Sequence, residues 1–303
     1  MGPNQSCSFN DVQGRGVNKR RSIGHRLTAA LLRIPFSDEL GRKGWLERFS
    51  LAQPHQVQRL ALTIAGWPRF ERSLRIAFLS DFHAGSHAGD VERFSAIATE
   101  AAAFTPDLVL FGGDYVNVQP FGGGRLPPHI IAAVIARTNG LLGRFAILGN
   151  ADYVYGEDDV ATALRNCGIV VLNDERRTVT FGGHKLDIVG VPDAHLVRPE
   201  ARSLLSSLPR DRPTIVLAHD PMWFADVPRG PFLTLAGHTH GGQIRLPGIG
   251  IVRNASMAPF RWSHGRITED GRQLYVTAGL GTSFLPLRIG VPPEFAVIDV
   301  NGA

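Results

Sequence analysis

Cysteine is scarce: the 303-residue chain contains two, Cys7 and Cys167. Two thiols cannot build a zinc–thiolate cluster. A bridge between a tail residue and one in the body of the chain would be a poor staple. Neither a disulfide-dense scaffold nor a Cys-ligated metal site is expected, and the chain suits a reducing compartment. Long hydrophobic runs are missing too; none approaches the roughly 20 residues that a membrane-spanning helix needs. Repeats and low-complexity tracts are absent, so a collagen-like or wholly disordered chain is excluded. What is present is 44% apolar and 19% charged residues, enough to bury a large core.

Acidic charge is short at one end only. Residues 1–50 hold nine Lys/Arg against four Asp/Glu, which is the whole net charge of +5. The rest of the chain is formally neutral, so charge gives no support for nucleic acid as a partner. Residues 1–21 are polar, without period, and read as disordered. Ile23, Leu27, Leu31 and Ile34 then recur at helical spacing with Arg26 and Arg33 between them, until Pro35 interrupts. A short amphipathic helix here either packs on the domain or lies on a membrane surface. Residues 15–50 are therefore a candidate contact with an anionic membrane, which would place the protein in the cytoplasm, peripheral to the inner face. Arg20-Arg21 resembles an export signal, but His25 and Arg26 break what should be its apolar region. The expected division is a basic arm, 1–54, and a catalytic domain, 55–303.

From Leu60 the pattern is α/β. Short apolar runs at Leu60–Ala65, Arg75–Ser80, Leu108–Phe111, Phe145–Leu148, Thr214–Leu217 and Leu233–Ala236 read as strands. Val91–Phe104, Pro128–Ala136 and Asp158–Arg165 read as helices. Later strands (Thr178–Phe181, Lys185–Val191, Gln273–Thr277, Phe295–Val300) are spaced as hairpins and suggest a second, mixed sheet.

Five of these strands run into metal-binding residue types: Asp81-Phe82-His83, Gly113-Asp114, Gly149-Asn150-Ala151-Asp152, His219-Asp220 and Gly237-His238-Thr239-His240. In α/β sheets, ligands gather beyond the carboxyl ends of strands. Each motif alone is weak. With 11 histidines, a His-x-His arises by chance about 0.4 times in such a chain. The ordered ensemble carries the signal. Asp81, His83, Asp114, Asn150, His219, His238 and His240 supply seven O and N donors without thiolate. That is too many for one tetrahedral zinc and suits two divalent ions, with Mn²⁺ favoured and Fe, Zn or Mg as alternatives. Two ions about 3.5–4 Å apart would activate a bridging water for in-line attack on phosphorus. Asp114, Asn150 and His238 are expected to serve catalysis as well as metal binding. The glycines beside the ligands would let backbone come close.

These blocks resemble those of the calcineurin-like metallophosphoesterases: D-x-H, GD-x-x, GN-x-D, a separate His and GH-x-H. The match runs from about Leu60 to the C-terminus, and the extended GHTHGGQ block is similar to a bacterial branch that often works at membranes. The resemblance implies a four-layer α/β/β/α sandwich of two mixed sheets. It implies that Asp81, His83 and His240 bind one ion, that Asn150, His219 and His238 bind the other, and that Asp114 bridges.

One block departs from the pattern. Most relatives have His where this chain has Ala151, to stabilise the transition state and protonate the leaving oxygen. Loss of a positioned general acid costs about 10²–10⁴-fold, mostly on poor leaving groups. A phosphoanhydride or nucleotide-diphosphate substrate is therefore expected, such as the UDP-diacylglucosamine of related hydrolases that also lack this His. The competing expectation is a weakly active, metal-binding module near a membrane.

Other residues have weaker readings. His87 is either a solvated loop histidine or a substitute for the absent imidazole. His195 and Arg198 belong to a surface loop. Arg288 is a candidate anion clamp. Phe121–Gly124 and Phe284–Pro286 are either an acyl groove or core-packing turns. Asp152, which would orient the His in relatives, here simply caps the following turn.

Overall fold

The computed structural model describes residues 52–119, 124–193 and 199–303. The expectations for residues 1–51 of the basic arm, for residues 121–123, for His195 and for Arg198 lie outside the described residues. Two six-stranded sheets face one another. The first has the order β1 (Gln56–Ile64), β14 (Glu294–Gly302), β2 (Leu74–Leu79), β3 (Leu108–Phe111), β4 (Gly143–Ala146), β5 (Val170–Val171). The second has the order β12 (Gly265–Glu269), β13 (Arg272–Val276), β9 (Phe232–Ala236), β8 (Thr214–Ala218), β7 (His184–Val191), β6 (Glu175–Phe181). Each mixes parallel and antiparallel pairs. A two-stranded ribbon, β10 (Arg245–Leu246) with β11 (Gly250–Ile251), stands apart from both.

Strand periodicity explains the layering. Along β2, Leu74, Ile76 and Phe78 face the second sheet and meet Ile215, Leu217 and Leu235. Ala77 and Leu79 face the other way, onto α1 (Asp90–Ala103) and α2 (Pro128–Ile135), through Phe94, Ile97 and Ile131. In β8, Val216 and Ala218 pack outward against Trp223, Phe224 and Leu205, the last from α3 (Pro199–Ser206). A strand covered on both faces reads as an unbroken apolar run, which is why these were visible as such. Each fully buried Leu, Ile or Phe contributes about 1.5–3 kcal/mol, so the layers hold without disulfides.

Two expectations about the strands need correction. Phe295–Val300 does not join the second sheet. As β14 it lies between β1 and β2 of the first, parallel to one and antiparallel to the other. Its two faces explain this: Phe295 and Val297 pack toward the helices, Ala296, Ile298 and Val300 between the sheets. The run Phe145–Leu148 is shifted, since the ladder stops at Ala146, where β3 and the two-residue β5 run out of partners. Among the described residues no helix is long and apolar enough to cross a membrane.

Candidate metal centre

The carboxyl ends of β2, β3, β8 and β9, with the turn after β4, meet at one edge of the sandwich. There the structure brings together all seven residues singled out from the sequence. Asp81, His83 and His240 form one group of donors and Asp114, His219 and His238 a second, each able to hold a metal ion. His83 Nε2 lies 3.1 Å from His240 Nε2, and His240 Nε2 is 3.8 Å from Asp81 Oδ1. In the second group His238 Nδ1 is 3.2 Å from His219 Nε2, and Asn150 Oδ1 is 3.2 Å from the same nitrogen. Asp114 Oδ2 stands between the groups, 3.2 Å from His83 Nε2 and 3.6 Å from His219 Nε2.

The local backbone is strained to achieve this. Among the described residues ten non-glycine positions have positive φ. Five are candidate ligands: Asp81 (55°), His83 (41°), Asp114 (57°), His238 (68°) and His240 (52°). Each such conformation costs on the order of 1–3 kcal/mol and tends to collect at functional sites. Gly149 has an ordinary φ and is required for closeness instead: a Cβ there would collide with Asp114 Oδ1 and the His219 ring. Gly237 is similarly closed by the Asp81 carboxylate and Ser80.

Hydrogen bonds fix which atoms face the centre. His219 Nδ1 donates to the Gly112 carbonyl at 2.7 Å, which leaves Nε2 as the nitrogen that faces the centre. His238 turns Nδ1 inward while its Nε2 lies 3.7 Å from Asp220 Oδ2. The Ala151 amide donates to Asp114 Oδ1 at 2.8 Å, leaving Oδ2 for the centre. Burial pushes the Asp114 carboxyl up, but His219 and His83 outweigh it and hold Asp114 below the usual carboxylate range. Burial lowers the proton affinity of His219, yet Asp114 and Asp81 reverse this and raise it to about 9. His238 and His240 are pushed down, first by burial and then by their imidazole neighbours. Against burial, His83 is raised as well, by Asp114 and Asp81, so in each touching pair one imidazole is pushed toward the charged form and its partner away from it. Lone pairs packed nitrogen to nitrogen beside two buried carboxylates fit divalent cations.

Several surrounding residues differ from expectation. Asp152 does more than cap its turn: besides the Gly149 amide it accepts the amides of Asp114 and Tyr115, tying β3's end to β4's. His87 is buried, with Nδ1 2.9 Å from Ser86 Oγ. Arg288 is no anion clamp. It is 3% exposed, and its guanidinium donates to the carbonyls of Ala278, Gly279 and Gly281. Asp220, outside the seven expected donors, accepts from Ser256 Oγ at 2.5 Å and flanks His238. An acid directly after a strand-end His was the available signal.

Back-to-back mixed sheets with a carboxylate shared between two His/Asp donor groups define a metal-dependent hydrolase of the phosphoesterase class. Residues 74–242 match the calcineurin-like phosphoesterase family, and the chain belongs to it. It is similar to the metallophosphoesterase YkuE of Bacillus subtilis, at 27% identity over 82% of this chain and 87% of that one. It is also similar to the phosphodiesterase YaeI of Escherichia coli, at 30% identity over 75% of this chain and 82% of that one. An Aquifex aeolicus metallophosphoesterase is 27% identical over 87% and 97%. The protein is a phosphoester hydrolase whose family uses divalent metals.

Proposed function

We propose that the chain cleaves phosphodiester or phosphoanhydride bonds with a good leaving group, on a substrate such as a nucleotide-diphosphate lipid held at a membrane surface. The observation that carries this is the single Asp114 oxygen standing between two donor groups. Asp81, His83 and His240 would hold one ion, Asn150, His219 and His238 the other, and Asp114 both; the donor chemistry suits Mn²⁺, Fe, Zn or Mg. When bound, such a pair supplies Lewis acidity to the phosphoryl oxygens and an activated water for in-line displacement. The protein's own part is preorganisation. The Gly112 carbonyl orients the His219 ring, the Ala151 amide fixes Asp114, and the Asp220 carboxylate lies beside the His238 ring.

The leaving group is where Ala151 matters. Its side chain is wholly buried and offers no proton. A phosphate or nitrophenolate departs without one; an alkoxide does not. The similarity to a phosphodiesterase supports the same substrate class. A panel with Mn²⁺ tests it: bis-p-nitrophenyl phosphate and a nucleotide-diphosphate lipid are expected to turn over about 10²-fold or more faster than a simple alkyl phosphomonoester. Comparable turnover of the alkyl ester would sink the leaving-group assignment. Ala151 also favours a second reading, a metal-binding module near a membrane. Two ions per chain with no turnover of any ester or anhydride would establish that instead.

A further inference from the structure

Ten large apolar side chains stand exposed among the described residues, and seven of them fall in two short segments. Ile249, Val252, Met257 and Phe260 follow the His240–Gly242 turn, with Ile249 and Met257 73% and 86% exposed. Phe284, Leu287 and Ile289 come from the C-terminal loop. The segments are one surface. Arg245 N–H donates to the Ile289 carbonyl at 2.8 Å, Gln243 Nε2 donates to the Leu285 and Leu287 carbonyls, and Arg253 lies over the Phe284 ring. The surface borders the metal centre, because Gln243 follows the His240 turn and Ser256 is bonded to Asp220 beside His238. A contiguous exposed apolar patch of this kind marks an interaction site.

Charge decides what covers it. Residues 241–268 contain four Arg and no acid, and residues 280–293 contain no acid either. Arg261 is paired with Glu269, but Arg245 and Arg253 are exposed and in no ion pair among the described residues. A second copy docked through a two-fold axis would press these arginines against their own images, so the patch is not self-complementary. The chain also enters the described structure here: Gln53 Nε2 donates to the Arg288 carbonyl at 2.8 Å. Residues 1–50, with nine Lys/Arg, precede this point in the chain. A surface that is at once basic and apolar is complementary to an anionic, apolar-backed plane.

We propose that the face formed by residues 245–260 and 284–289 docks on an anionic phospholipid bilayer, bringing the mouth of the metal centre to the membrane plane. The proposal deepens the membrane part of the reading above and is separable from its chemistry, since vesicle binding needs no turnover. The test is flotation of the full-length protein with phosphatidylglycerol vesicles and with phosphatidylcholine vesicles. The variants are Ile249→Glu, Met257→Glu and Arg253→Glu, with Leu141→Glu, an exposed apolar residue outside the patch, as control. Melting temperature checks that each is folded. The wild type is expected to bind only the anionic vesicles. Ile249→Glu and Met257→Glu should each weaken this by about tenfold or more and Arg253→Glu by at least about fivefold, while Leu141→Glu leaves it unchanged. Three results would overturn the proposal: no binding by the wild type, equal binding by all variants (the arm alone then suffices), or a wild-type oligomer that the patch variants dissociate.

Discussion

The two donor groups share Asp114 but differ in what stands behind them. Asp81, His83 and His240 are all at most 2% exposed. They are closed off by the loop after β13: Gly281 N–H donates to the Asp81 carbonyl at 2.6 Å, and Leu280 N–H to that of Ser80. That loop is held by the buried Arg288, which also reaches the His240 carbonyl. Burial lowers the Arg288 guanidinium to about 10, still charged at neutral pH. The second group is more open. His238 is 6% exposed, Asn150 is half-buried, and Asp220 and Ser256 lead from it to the exposed 254–260 loop. One group is therefore fully enclosed, while the other combines the equally buried His219 with His238 and Asn150, which reach closer to the surface.

The strongest way to break this comparison is Asp114→Asn. If the groups act as a unit through Asp114 Oδ2, the substitution weakens metal at both, and turnover of bis-p-nitrophenyl phosphate falls by about 10³-fold or more. Elemental analysis with kinetics checks it; loss confined to one group would show that they are independent. The next test separates them. Arg288→Met leaves the carbonyls of Ala278, Gly279 and Gly281 without their donor, so the loop behind Asp81 loosens. Metal affinity of the enclosed group should fall about 10–100-fold, the usual cost of removing an outer support, while the open group is spared. Calorimetric metal titration resolves the two. Arg288→Lys should not restore binding, because an ammonium lacks the planar fork that serves several carbonyls. A rise in affinity would mean that relief of cation repulsion outweighs positioning.

The sequence made the open framework of this centre readable, because its ligands follow apolar strands one after another and each strand is buried on both faces. The enclosure was not readable. Arg288 lies 48 residues from His240 and meets it only through a loop whose partners are backbone carbonyls, which leave no trace in side-chain pattern. The same holds for β14, whose neighbours come from the other end of the chain, and for Asp152, whose bonds to Asp114 and Tyr115 cross from one strand end to another. For His87 the sequence leaves open a solvated loop residue or a substitute for the absent imidazole; it is buried, and shares a small pocket with Thr282, Pro286 and Arg288 from far along the chain.

His87 also gives the smallest of these effects, and one that touches only the enclosed side. Burial pushes its imidazole down to about 4, with Arg93, Arg288 and His83 adding to this and Asp90 opposing it. The folded protein therefore keeps His87 neutral where the unfolded chain, titrating near 6.5, has bound a proton. Between these values the unfolded state holds more protons, so stability falls as pH drops from 6.5 towards 4 and is unaffected above 6.5. The ceiling is about 3 kcal/mol at pH 4, less whatever relaxation allows. His87→Gln removes the titration while keeping a polar group near Ser86 Oγ, and should flatten this part of the acid limb. Melting temperatures of the metal-free wild type and variant at pH 4.5, 5.5 and 7.5 measure it; without metal, competition between protons and cations at the neighbouring ligands is removed, and their own titration cancels in the difference. Parallel curves for the two proteins would place His87 in contact with water and remove it from the enclosed side.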